Sequence, residues 1–102
     1  MKFLAMSRRI PGATNEQVAA YGAAEALAAF GLMRDGVFEQ LYFSPDWKGA
    51  VLVVQAATRE QAQAALDSLP MVRERVIGFD LWELQPYDHY SRLFKDEYKA
   101  AP

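Results

Sequence analysis

The chain has 102 residues, of which 52% are hydrophobic and 24% charged, and its formal net charge is −2. This length suits one domain spanning residues 1–102, and the apolar content is too high for a disordered chain. An acidic balance without a lysine or arginine run argues against nucleic acid or a membrane surface as the main partner. The absence of cysteine excludes disulfides, thiolate metal sites and cysteine nucleophiles.

Nothing in the sequence predicts a targeting or membrane-spanning segment. The N-terminal apolar run is too short for a signal peptide, and its basic residues flank the wrong end. The longest apolar run, residues 50–54, falls far below the about 18 residues that span a bilayer. We therefore expect a cytoplasmic protein.

The first half of the chain predicts a strand, a long helix and a second strand. Residues 2–8 form an apolar run that ends in a proline-glycine turn. Thr14, with Gln17 three residues later, forms a capping box for a helix that runs to residue 35. This alanine-rich helix carries two adjacent apolar stripes, a wider surface than one sheet normally covers. Alternating residues over 37–43 predict the second strand.

The second half predicts a hairpin partner, a second helix, a last strand and a short tail helix. Residues 50–57 form the third strand. Thr58 and Gln61 predict a second capping box, which begins the second helix. Pro70 is expected to end this helix. Residues 76–84 form the fourth strand, and the segment from 88 to about 98 predicts a short amphipathic helix. This tail is expected to dock on the barrel or on a partner subunit, because it would otherwise expose several large apolar groups.

The order β-α-β-β-α-β predicts a ferredoxin-like α+β fold, in which two helices cover one face of a four-stranded antiparallel sheet. A sheet with one solvated face alternates apolar and polar residues, but here several strands are apolar on both faces. The chain has no spare element large enough to cover the second face. The sequence therefore predicts a homodimer that packs sheet against sheet.

A series of short segments marks residues 2 to about 94. In order they are Lys2-Phe3-Leu4 with Arg8 and Pro11-Gly12, Glu25, Gly36, Gln40-Leu41-Tyr42-Phe43, Gly49-Ala50-Val51-Leu52-Val53, Ser68-Leu69-Pro70-Met71-Val72, Gly78-Phe79-Asp80-Leu81, Pro86-Tyr87 and Arg92-Leu93-Phe94. Their order and spacing resemble the muconolactone isomerase-like family of dimeric α+β barrel proteins. The resemblance implies a dimer whose sheets face each other around a pocket, a small-molecule ligand and no bound cofactor. It also implies an enzyme that moves a proton along an unsaturated lactone.

Two carboxylates are the candidate catalytic groups, since proton transfer along a lactone needs a base and a donor for the enolate oxygen. Glu25 lies in an apolar stripe of the first helix, where burial would raise its pKa. Alternatively, it lies at the edge of that stripe and reaches water. Asp80 projects to a mostly apolar face of the fourth strand, where Arg8 or Tyr42 can partner it. The alternative for Asp80 is a structural ion pair at the sheet edge.

Five further side chains complete the predicted site. Tyr42 is the candidate catalytic donor, and it shares a strand face with Gln40, so both either hydrogen-bond into a pocket or form an exposed hairpin edge. Arg8, Gln40, Trp82 and His89 are predicted to bind substrate. His89 is either a titrating group at the pocket mouth or a solvated residue of the tail. Gln40 and Tyr42 stand where the true isomerases carry histidine and tryptophan, so the resemblance does not identify the particular substrate.

Three functions stay open on the sequence, and none uses a metal, because one histidine and no tight carboxylate cluster predict no metal site. The first is a cofactor-free isomerase for a small unsaturated lactone or a related oxygenated compound. The second is a cofactor-free cyclase or oxygenase for aromatic, polyketide-like substrates, which the 13% aromatic content also suits. The third is a non-enzymatic module that binds a ligand or only dimerises.

Overall fold

The computed structural model describes residues 1–94. Its elements are β1 (Lys2–Arg9), α1 (Asn15–Arg34), β2 (Phe38–Ser44), β3 (Gly49–Gln55), α2 (Arg59–Asp67), α3 (Pro70–Arg73), β4 (Ile77–Leu84) and a 3₁₀ helix (His89–Phe94). The strands form one antiparallel sheet in the order β2-β3-β1-β4. The predicted ferredoxin-like arrangement is confirmed, with helices packed on one face of the sheet.

Both predicted helix starts are confirmed by their hydrogen bonds. The hydroxyl of Thr14 accepts the N–H of Gln17, whose side chain accepts the N–H of Thr14 in return. Thr58 accepts the N–H of Gln61 in the same way. Helix α2 ends at Asp67 with Ser68 as its C-cap, so it stops before Pro70 as predicted. The sequence did not predict that Pro70 also begins the one-turn helix α3, at a position where proline needs no N–H partner.

The core lies between the sheet and α2, and it contains the helix-facing residues of β1, β2 and β3. Its eight members are each at most 2% exposed: Phe3, Ala5, Phe38, Leu52, Val54, Ala62, Leu66 and Leu69. Helix α1 contributes no fully buried residue. Its second apolar stripe faces outward, with 74% of Leu27 and 64% of Phe30 exposed. The long helix α1 therefore contributes less to the buried core than α2 does.

The other face of the sheet, called the open face below, has no comparable cover from any element within residues 1–94. Its central rows run across three strands, with Leu4 paired to both Val53 and Trp82. Side chains here are only partly buried, and Trp82 is 48% exposed. The strand pairing therefore places apolar side chains on the open face as well as on the covered face, as the sequence predicts.

Residues 85–94 extend from the sheet without packing on it. All residues from 85 to 94 are exposed, including Tyr90, Leu93 and Phe94. Docking of this segment on its own barrel is not found, so docking on a partner subunit stays a prediction. The rest of the predicted tail helix, beyond residue 94, lies outside the described residues. Among residues 1–94, no helix is both long and apolar enough to cross a bilayer.

Candidate functional site

Two adjoining cavities lie on the helix-covered side of the sheet. The first has a volume of about 500 Å³ and is bounded by β1, α1, the β2–β3 loop and α3. The second, of about 400 Å³, is lined mainly by apolar residues of α1, β2 and β3. Both are lined by Glu25, Phe43, Ala50 and Ile77. The two volumes together form one cleft with a polar outer part and an apolar inner part.

The cleft exists because the inward side of α1 is built from small residues. Gly22, Ala26 and Ala29 line the inner cavity, opposite the larger side chains of the sheet. A Cβ placed at Gly22 would meet no atom within 4 Å. Side chains this short cannot fill the space between a 20-residue helix and the strands below it. The alanine and glycine content of α1 thus produces both an easily formed helix and the cavity beneath it.

Glu25 is the ionisable group at the centre of this cleft. Its Oε1 accepts the backbone N–H of Met71 at 2.9 Å, which connects α1 to the first turn of α3. The carboxyl is half-buried, and burial raises its pKa above the ordinary value of 4.5. The Met71 hydrogen bond and the positive charge of Arg73 both oppose that shift. A carboxylate with a raised pKa in a cavity has the properties of a general base.

The β2–β3 loop and β1 form the wall of the outer cavity. The indole Nε1 of Trp47 donates to the backbone oxygen of Ser7 at 3.4 Å. Trp47 lies so close to Gly49 that a Cβ there would overlap the indole, which explains the glycine. The Oγ of Ser7 accepts the N–H of Ala50 at 2.7 Å, and this bond leaves the hydroxyl hydrogen to donate elsewhere. Ser7 therefore offers a nearly buried, oriented donor at the cleft.

Basic residues border the outer cavity at its mouth. Nη1 of Arg9 donates to Oδ1 of Asn15 at 2.7 Å, and Arg8 and Lys48 lie on the same border. Sequence reasoning missed Arg9, Asn15 and Ser7 as site residues. The alternation of β1 provided one signal, because Ser7 and Arg9 share the strand face of the buried Phe3 and Ala5.

The residues predicted for the site are divided between the two faces of the sheet. Glu25 lies in the cleft. Arg8 and Tyr42 contribute to the cavity walls, but the strand register directs both of their side chains to the open face. Asp80 also projects from the open face, where its Oδ1 is 3.4 Å from Nε of Arg8 and both side chains are about half exposed. The structure thus shows for Asp80 the ion pair that was its alternative interpretation.

The remaining predicted residues line neither cavity. Gln40 is exposed on the edge strand β2, and Trp82 lies on the open face. His89 is exposed in the 3₁₀ helix, where its ring packs edge-on against Tyr87 at 5.1 Å. A pocket between two sheets was expected, whereas the cavities of the described chain lie between sheet and helices. Any site formed by Asp80, Trp82 and Gln40 would need a second subunit.

No family model matches the sequence, and no curated protein matches it either. Among solved structures, the chain is similar to 5-chloro-2-hydroxyhydroquinone dehydrochlorinase from Burkholderia phenoliruptrix AC1100, solved in complex with 2,5-dihydroxybenzoquinone. The two chains share 14% identity with a TM-score of 0.68, over 83% of this chain and 94% of the other. Similarity at this identity shows a common fold, the ferredoxin-like α+β sheet described above.

Proposed function

We propose that this protein is a cofactor-free enzyme that transfers a proton on a small, unsaturated, oxygen-rich ring, with Glu25 as the base. The observation that carries the proposal is the Glu25 carboxyl, half-buried between two joined cavities with a raised pKa. A general base works best when its pKa approaches the working pH. The carboxylate would take a proton from one ring carbon and return it to another, so the reaction needs no further reactant.

Ser7 is the proposed donor to the oxygen that becomes negative during this transfer. Removing a proton beside a carbonyl places charge on the carbonyl oxygen, and a fixed hydrogen-bond donor stabilises it. The Ser7 hydroxyl lines the same outer cavity as Glu25, and its bond from Ala50 fixes the position of its oxygen.

The size and lining of the cleft support a ring-shaped substrate. A cavity of about 500 Å³ falls in the range of small-molecule sites, which are mostly apolar with a few fixed polar groups. The structurally similar dehydrochlorinase was solved with 2,5-dihydroxybenzoquinone, a planar oxygenated ring. The muconolactone isomerase-like resemblance points to an unsaturated lactone. Both compounds are flat rings whose carbonyls acidify neighbouring hydrogens, and we propose this substrate class.

We further propose that the protein acts as a homodimer joined through the open face. Leu4, Val53 and Trp82 lie in one row across three strands, and they stay partly exposed in the single chain. A contiguous apolar sheet face of this kind marks an interaction surface. A second copy would cover it and would offer a surface for the exposed tail. The cytoplasmic location stays a prediction.

A β,γ-unsaturated five-membered lactone provides the test, because its conversion to the conjugated isomer is followed by ultraviolet absorbance. We expect the wild type to accelerate this conversion, and Glu25→Gln to lower turnover by a factor of roughly 10² to 10⁴. Glutamine keeps an acceptor for the Met71 N–H, so the fold is preserved. Glu16→Gln, the same change at an exposed position of α1, is the matched control and should leave turnover unchanged.

A binding module without catalysis is the second candidate, and one contact favours it. Leu69, the cap of α3, makes no side-chain hydrogen bond, so the Glu25 carboxylate satisfies a donor in the first turn of that helix. This is a structural role that needs no reaction. Suppose that the lactone binds, but that wild type and Glu25→Gln both isomerise it no faster than the uncatalysed reaction. This result would contradict the enzyme proposal and favour the binding module.

A further inference from the structure

The outer cavity concentrates positive charge on a protein that is negative as a whole. The chain carries a formal net charge of −2, yet Arg9 and Lys48 both border this one cavity, while the guanidinium of Arg8 lies beside Asp80 on the open face. Glu25 is the single acidic side chain among the residues that line it. A cleft lined mainly by one sign of charge attracts the opposite charge and raises its local concentration. The positive charge at this cavity therefore favours negatively charged ligands.

Arg8 and Arg9 are neighbours in the chain but differ in how their charges are balanced. Arg8 forms an ion pair with Asp80 on the open face. Arg9 lies on the covered side of the strand and donates to a neutral amide, that of Asn15. Within residues 1–94, no carboxylate lies within salt-bridge distance of Arg9. The bond to Asn15 orients the guanidinium while leaving its charge and its other N–H groups available.

We propose that Arg9 makes the cleft selective for anionic ring compounds by binding a negatively charged ligand oxygen at the mouth, with Lys48 adding to the local positive potential. The proposal rests on the proposed function only in placing the ligand in this cleft. It does not depend on proton transfer taking place. Arginine suits this role because its planar group can bind a carboxylate or enolate oxygen through two N–H groups.

A matched pair of probes tests the role of charge. 2,5-Dihydroxybenzoquinone is ionised at neutral pH, and 2,5-dimethoxybenzoquinone is its neutral dimethyl ether. Calorimetric titration of the full chain should show at least roughly tenfold tighter binding of the ionised probe. Rising salt concentration should weaken that preference, since exposed charges are screened. Equal affinities for the two probes would overturn the proposal.

Variants at Arg9 test whether its charge causes the preference for the ionised probe. Arg9→Gln should weaken binding of the ionised probe roughly tenfold and leave the neutral probe unaffected. Arg9→Lys keeps the charge and should retain most of the preference. Arg34→Gln is the matched control, because Arg34 lies at the far end of α1 and lines neither cavity. Unchanged binding in Arg9→Gln, or equal losses in Arg9→Gln and Arg9→Lys, would overturn the proposal.

These results are separable from a failure of the enzyme proposal. Selective binding of the ionised probe with no turnover of any lactone would support the anion site and contradict proton transfer. Lactone turnover with no selectivity between the two quinones would do the reverse. Circular dichroism of each variant shows whether the fold is intact, and the neutral probe provides an internal standard for the cleft itself.

Discussion

The two faces of the sheet are similar in sequence and different in structure. On the covered face Phe3 and Val54 are fully buried, and Leu52 is only 2% exposed. On the open face the neighbouring residues Leu4 and Val53 are only partly buried. The covered face has a core at the α2 side and a cleft at the α1 side, because α1 presents small residues there. The apolar residues of a strand therefore show that a face can be buried. The size of the helix residues packed against that face decides whether a core or a cavity forms there.

The same contrast separates the two candidate carboxylates. Glu25 lies half-buried on the covered side and accepts a hydrogen bond from a backbone N–H. Asp80 lies on the open side beside a guanidinium and is half exposed. Burial without a directly bonded cation favours the protonated acid, whereas an ion pair in solvent is a common surface feature. The difference supports the proposals that place the chemistry on the covered face and the subunit contact on the open face.

The largest effect is expected from a charge placed on the open face. In a dimer joined through this face, Val53→Asp would bury an unpaired carboxylate in each subunit, at a cost of about 3–5 kcal/mol per charge. We expect the molar mass from light scattering to fall from twice 11.5 kDa to 11.5 kDa. The uncharged and similarly shaped Val53→Thr is the control and should remain dimeric. A folded Val53→Asp protein that keeps the double mass, or a monomeric wild type, would contradict the dimer proposal.

A smaller effect is expected in the pH dependence of stability on the covered face. The pKa of Glu25 is raised in the folded protein, so the folded state holds this proton more tightly than the unfolded chain. Stability from this group is present below the ordinary pKa of 4.5 and is lost as pH rises through the folded value. Glu25→Gln removes the titration. The free energy of unfolding of the variant relative to wild type should therefore increase with pH across that window.

Urea unfolding at a series of pH values from acid to neutral measures this difference. Glu16→Gln, on the same helix but exposed, provides the reference for removing a carboxylate from the protein surface. A difference between Glu25→Gln and wild type that stays constant with pH would show that Glu25 titrates alike in folded and unfolded chains. The basis for treating it as an activated base would then be lost.

Much of the fold could be predicted from local sequence signals. Thr14 and Thr58 cap helices α1 and α2 where predicted, although only Thr14 forms the reciprocal capping box. Apolar runs, with two-residue alternation in β2, predict all four strands. Boundaries moved by one or two residues in most elements. The short helix α3 was not predicted, because a proline after a helix signals a stop more often than a new start. Local sequence signals are sufficient to predict an element where a residue type has a single structural role, and they fail where it has two, as proline does at residue 70.

The site was harder to predict, because it depends on how distant elements pack. Glu25 was identified from its place in an apolar stripe, but its bond to Met71 joins residues 46 positions apart. Arg9 was missed because β1 is apolar on both faces, so its alternation alone does not show which face the helices cover. Asp80 and Trp82 were placed near a pocket because their strand face is apolar, a property that a subunit interface shares. Sequence patterning defines faces, whereas cavities follow from the volumes that opposing elements leave unfilled.

The smallest effect is expected from Asp80→Asn, and it is informative for that reason. The Arg8–Asp80 pair is about half exposed, with 3.4 Å between Nε and Oδ1, and solvent-exposed pairs contribute about 0–1 kcal/mol. Asparagine preserves the shape and an acceptor for Arg8, so unfolding and lactone turnover should both stay close to wild type. A large loss of turnover in a folded, dimeric Asp80→Asn protein would contradict this assignment. It would instead show that the reacting ring binds between the two open faces, where Asp80, Trp82 and the partner sheet meet, and that the cleft beside Glu25 serves another purpose.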